Sequence, residues 1–205
     1  MAGGGNNTAS GLGSMVPGGS ENVAAGVSSF AAGTFAQALN NGSFVWADNS
    51  AHLTVTDSAP NQFVALASGG FTLYTTVNDF AIGATLPSGS GSWSSLSDRN
   101  AKANFSAVDG QDLLARLAAI PVSTWNYKAQ PDEVRHMGPM AQDFRAAFGL
   151  GEDDTHISTV DSEGVALAAI QALYQTVTEL KRDLGDKDQQ ITELRARLAR
   201  MEQRQ

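Results

Sequence analysis

Asn7-Thr-Ala-Ser-Gly11 returns fifteen residues later as Asn22-Val-Ala-Ala-Gly26. Ser14 is answered by Ser29, and Gly3, Gly18 and Gly33 fall in register at the same period. A short fixed period with glycine at set phases predicts a solenoid, one coil per repeat. Glycine supplies positive φ at the corners, and small Ala, Ser and Val side chains suit a narrow interior. Val16, Val23, Val27 and Phe30 give the repeat apolar positions that a flexible Gly/Ser tract does not need. A coil this small cannot bury its own faces, so association with copies of itself is expected.

The rest of the chain is built differently. Of 205 residues, the first 96 hold no Lys or Arg and four acids, Glu21, Asp48, Asp57 and Asp79; all 13 basic residues and 17 acids follow. Glycine is skewed the other way, 15 of 21 lying before residue 97. Such a shift marks a junction between modules. After the repeats (1–48) come β-branched and aromatic runs at Gly42–Asp48, Ala51–Thr56, Gln62–Ala67 and Gly70–Thr75, a β-section spanning 49–86. His52 reads as an exposed strand residue, and Trp46 and Trp93 as packing residues; no motif supports a sugar platform. Residues 87–96, rich in Gly and Ser, read as a loop or linker.

Residues 97–165 predict a small α+β domain. Asp109 caps a helix that Pro121 stops; Val122–Tyr127 is a strand; Met140–Phe148 is a helix ended by Gly149; Thr155–Val160 is a second strand. The apolar residues of Ile120–Tyr127 and Met140–Phe148 form its core. His156 is structural, Glu152-Asp153-Asp154 is a solvated turn, and Asp161 and Glu163 favour a helix start. From 166 to 205 the pattern is a coiled-coil helix. Ile170, Leu173, Val177, Leu180, Leu184, Ile191, Leu194, Leu198 and Met201 alternate steps of three and four, with Lys187 at the one polar d position. Gly185 marks a weak point in it.

Composition excludes several functions. A net charge of -8 argues against a nucleic-acid partner. The absence of cysteine excludes a disulfide scaffold and a cysteine metal site, and His52, His136 and His156 have no zinc-hydrolase spacing. No run is long enough for membrane insertion, and no signal peptide opens the chain. No cofactor is expected.

The first 48 residues resemble the β-roll head of trimeric autotransporter adhesins and related phage fibres, over about 3–48. A second resemblance begins at Ser97-Asp98-Arg-Asn-Ala-Lys102 and continues through His136-Met-Gly-Pro-Met-Ala-Gln-Asp143 to Val160-Asp-Ser-Glu-Gly164. On residues alone, Ser97–Lys102 reads as a capped helix start with a solvated lysine; side chains five apart lie ~140° apart on an ideal helix and do not meet. In this order, the three motifs resemble the C-terminal intramolecular chaperone auto-processing domain of phage endosialidase tailspikes and tail fibres. Pro139 departs from the bulkier apolar residue common there.

That resemblance implies an obligate homotrimer whose chain is cut at the Leu96–Ser97 bond. Ser97 is then the nucleophile, Lys102 its general base, His136 a supporting active-site residue and Asp98 a polar neighbour. The expected class is an autocatalytic serine endopeptidase acting once on its own chain. A serine hydroxyl needs an adjacent base, and a lysine serves as one only when uncharged, against a reference pKa of ~10.4. The structural rival is a non-cleaving trimerisation tip of a fibre or adhesin. A membrane-anchored regulator released by cleavage fits less well, lacking a span and a basic surface. The implied location is a virion tail fibre or bacterial surface, with a host-surface or glycan ligand for the N-terminal part.

Overall fold

The computed structural model describes residues 3–50, 53–77 and 82–203; His52 lies outside them. The chain forms two compact units, Met1–Ala103 and Asn104–Gln205. Strands and helices are mixed, and a long helix ends the chain.

The first unit begins with two parallel sheets. One stacks β1 (Thr8–Ala9), β3 (Val23–Ala24), β5 (Ala36–Ala38) and β7 (Val55–Thr56); the other stacks β2 (Gly19–Ser20), β4 (Phe30–Thr34), β6 (Phe44–Ala47) and β8 (Phe63–Leu66). Each coil gives one strand to each sheet. Between them Val16, Ala24, Ala31, Ala36, Ala38, Val45 and Ala47 are buried, flanked by Val55, Val64 and Leu66. Small side chains dominate because the sheets share a thin interior. Asn22 is fully buried, accepting from Ala36 N and donating to Gly18 O and Gly33 O, so one side chain stitches successive coils.

The expected solenoid is present, but its period is not constant. Thr8 faces Val23, a step of 15; Gly19 faces Gly33 and Phe30 faces Phe44, steps of 14; Phe44 faces Phe63, a step of 19. Gly19, not Gly18, is therefore the counterpart of Gly33. The parallel stack also runs past residue 48, through Leu66, taking in strands assigned above to the β-section. The longer step accommodates the residues after Asp48, whose carboxylate accepts from Ser50 and Ser68 and is held well below the usual carboxylate range by them.

Asp57 closes the next coil. It is buried, and its carboxylate accepts from Leu39 N at 2.7 Å and Asn40 N at 2.9 Å. Burial is the largest single influence and pushes its pKa up; the bonds from Leu39, Ser43 and Asn40 together outweigh it and hold the acid below its ordinary value. The ionised form is therefore favoured by folding. Its contribution is present above the ordinary carboxylate range and fades as pH falls through the lowered folded value. Asp57→Ala takes away the acceptor of both Leu39 N and Asn40 N and should cost about 1–3 kcal/mol at neutral pH. Urea denaturation checks this; the difference from the Asp57 parent should shrink as pH falls below the ordinary carboxylate range.

An antiparallel sheet follows, in the order β11-β10-β9, made of β9 (Gly70–Tyr74), β10 (Gly83–Pro87) and β11 (Ser94–Ser95). The stretch 87–96 is thus not a free linker. Ser90 N bonds Pro87 O, and Ser94 and Ser95 pair with Thr85 and Ala84, so the Gly/Ser residues are a hairpin turn with its return strand. Trp93, expected to pack, is exposed, while Trp46 is half-buried.

The second unit contains α1 (Gly110–Ala119), β12 (Ser123–Trp125), β13 (His136–Gly138), α2 (Ala141–Phe148) and α3 (Thr159–Glu202). Asp109 caps α1, accepting from Gln111 N and Asp112 N. Leu113, Ile120, Phe144, Val165, Ala169 and Ala172 are its buried apolar residues, whereas Val122 and Tyr127, expected in the core, are exposed. Gly110 lies against Ala172, where an added Cβ would sit 2.7 Å from the alanine methyl, and Gln111 bonds Thr176. Thr155–Val160 is not a strand. Asp153 Oδ1 accepts from Thr155 N and His156 N, turning the chain, and α3 begins at Thr159. Local capping has outcompeted β-branched propensity there.

α3 runs unbroken for 44 residues through Gly185 and Lys187. Its small-residue face, Val165, Ala169 and Ala172, is buried. From Val177 to Gln203 every residue is exposed, the apolar heptad positions included.

Candidate functional site

Strand β11 delivers the chain to Leu96 and Ser97. Asp98 then caps one 3-10 turn, Arg99–Ala101, its carboxylate accepting from Asn100 N at 2.8 Å and Asn100 Nδ2 at 3.1 Å. Ala101 N bonds Asp98 O and Lys102 N bonds Arg99 O. Ser97 stands before this turn, and Lys102 leaves it in extended conformation. The chain therefore doubles back, and Lys102 Nζ donates to Ser97 Oγ at 2.7 Å. An α-helix would hold the two apart; a single tight turn ending at Lys102 does not. Ser97, Asp98 and Lys102 are all exposed in one chain. Asp98 bonds Asn100 rather than either member of the pair, so its place here is to shape the turn. Asn100, which receives that cap, carries no sequence signal of its own.

His136 belongs to the second unit, on the β12–β13 hairpin, where it pairs with Trp125. The strand at His136–Gly138 has no alternating pattern and was not expected. The imidazole is half-buried, its centroid 4.9 Å from the Trp125 ring and 5.5 Å from the Tyr127 ring. Nε2 lies 2.9 Å from Gln130 Oε1. The Trp125 indole N–H is buried without a hydrogen-bond partner. A cavity of about 440 Å³ beside it is bounded by Tyr127, Pro139, Met140, Gln142 and Ile157. Gln130 went unnoticed because a lone glutamine in a turn looks like surface, and no sequence pattern marks it.

His156, exposed in a turn, bonds Asp153, whose carboxyl is held well below the usual range first by Thr155 and then by His156. No grouping of His, Asp and Glu among the described residues has the makings of a metal centre. No helix among them is long and apolar enough to cross a membrane.

Comparison with known proteins adds a family to this geometry. Residues 97–149 match the model of a peptidase family described as chaperone of endosialidase, about a quarter of the chain. The match opens on Ser97 and takes in Lys102 and His136; the Val160–Gly164 motif lies beyond it. No curated protein matches the chain. The segment that starts with the Ser97–Lys102 turn and closes at Gly149 is a C-terminal chaperone domain of the endosialidase type.

Proposed function

We propose that this chain is a fibre- or adhesin-like protein whose C-terminal half acts as a self-cleaving intramolecular chaperone. The domain gathers three copies, assists folding of the solenoid ahead of it, and severs the Leu96–Ser97 bond. The observation that carries this reading is the 2.7 Å contact between Lys102 Nζ and Ser97 Oγ inside a segment of peptidase-family type. The chemistry requires an uncharged Lys102 amine. It takes the Ser97 Oγ proton; Oγ attacks the Leu96 carbonyl carbon; the C–N bond breaks as the amine returns the proton to Ser97 N. The resulting ester is hydrolysed by water to a Leu96 carboxylate and a free Ser97 hydroxyl. A tethered substrate makes a single turnover sufficient.

In one chain the pair is open to water. Trimerisation that covers the turn supplies the desolvation the base needs, so cutting follows assembly. Three copies of the bare α3 stripe, packed as a coiled coil, are the means of gathering. The solenoid's likeness to adhesin heads fits a trimeric shaft on a virion tail fibre or bacterial surface, presenting its N-terminal part to a host-surface or glycan ligand.

Denaturing electrophoresis with intact-mass measurement tests the reading. The wild type should yield a 109-residue fragment beginning at Ser97, absent from Ser97→Ala. A wild type that stays at 21.4 kDa sinks the proteolytic account and leaves the non-cleaving tip. Trimerisation has its own check. In the Ser97→Ala background, Leu180→Asp with Leu194→Asp removes two heptad leucines per chain, each worth about 1.5–3 kcal/mol when buried. Sedimentation should then shift from three 21.4 kDa chains to one.

A further inference from the structure

The hydrogen bonds around Gln130 identify which nitrogen of His136 is free to act. Gln130 sits in the turn between the two strands, its backbone N bonded to Tyr127 O at 2.9 Å, and its side chain is half-buried. The same amide meets Tyr127 N at 3.3 Å and His136 Nε2 at 2.9 Å through one atom, Oε1. A backbone N–H can only donate, so the atom facing Tyr127 is the carbonyl oxygen and not the amide nitrogen. That oxygen can only accept. His136 Nε2 must therefore carry a proton, and in the neutral ring Nδ1 holds the lone pair.

We propose that Gln130 is a positioning residue for self-cleavage: it locks His136 in the Nε2–H tautomer and leaves Nδ1 as the acceptor of the neutral ring. The role in cleavage rests on the function proposed above; the tautomer does not. Trp125 and Tyr127 hold the ring plane on which this geometry depends. Tyr127 is the titratable group against the ring. Arg135 is directed to Thr124 and Asn126, and Asp132 to Asn126.

Two measurements on the full chain decide it. The first is nitrogen NMR of the histidine-labelled Ser97→Ala protein, with the His136 signals assigned through His136→Asn. Above the titration of the ring, His136 should carry its proton on Nε2, and Gln130→Leu should move population to Nδ1–H. A proton on Nδ1 in the parent, or a tautomer indifferent to Gln130→Leu, overturns the assignment.

The second follows cleavage in time during cell-free synthesis. Gln130→Leu should be slower by at least about tenfold, part of the ~10²–10⁴ that positioned acid–base groups contribute. Gln130→Glu keeps the acceptor and sets a carboxylate against the ring. That favours the imidazolium, so the acid limb of the rate profile should move to higher pH. Wild-type rate and profile in both variants refute the positioning role while leaving self-cleavage intact. A wild type that never cuts refutes the proposed function instead, and the NMR result still decides the tautomer.

Discussion

Lys102→Met should abolish the 109-residue fragment, leaving chains of full length. Methionine preserves most of the aliphatic stem and removes the amine that lies 2.7 Å from Ser97 Oγ. Loss of a positioned base lowers a rate by roughly 10²–10⁴, enough to turn cleavage during synthesis into a process barely visible over days. Lys102→Arg should be equally silent. Guanidinium keeps the positive charge and the reach but does not give up its proton, so it cannot serve as the base. Arginine that supports cleavage would show that the position supplies charge alone. Both variants should sediment as the Ser97→Ala chain does, because the apolar stripe of α3 is untouched. Quantitative mass spectrometry of cell-free product over time measures the rates.

The second large effect concerns the solenoid. Gly33→Ala should destabilise the first unit by on the order of 3–5 kcal/mol, combining a backbone strained for any L side chain with overpacking. Gly33 has φ +95°, and an added Cβ would lie 1.8 Å from Ala47 O, a backbone atom of the next coil that cannot step aside. Gly19 has φ +96° and the same conflict at 1.9 Å with Gly33 O, so Gly19→Ala should be comparably severe. Gly18 is the sharp control. Its nearest neighbour to an added Cβ is Gly3 O at 3.3 Å, with no left-handed φ, so Gly18→Ala should be much milder. Urea denaturation in the Ser97→Ala background separates the three. A heavier cost at Gly18 than at Gly19 would mean that the coils stack in the constant fifteen-residue register of the sequence repeat.

That contrast shows why the register was only partly legible. A repeat in sequence reports which residues play similar parts; the spacing that matters is set by which backbone amides meet in space. One residue lost between Gly19 and Gly33, and the longer step to Phe63, are absorbed by corners that need no side-chain signal. The hairpin at 87–96 was hidden for a related reason. Serine and glycine describe a turn well and a short edge strand poorly, and only pairing with Ala84 and Thr85 makes Ser94-Ser95 a strand. Thr155–Val160 failed in the opposite sense, its β-branched residues overruled by the bonds from Thr155 and His156 to Asp153.

The sequence by itself determined what depends on local period and local bonding. The heptad stripe of α3, the Asp109 cap, the helix closed at Gly149 and the small-residue interior of the coils all follow from neighbours a few positions away. Ser97 and Lys102 were marked as a pair by motif, but whether they could touch was a matter of three-dimensional path. One capped 3-10 turn decided it, reversing the chain so that residues five apart share a hydrogen bond. Likewise no pattern in the chain joins Gln130 to His136. The hairpin does, because folding brings one carbonyl oxygen within reach of two donors, Tyr127 N and His136 Nε2, and leaves the ring a single arrangement of its protons when neutral.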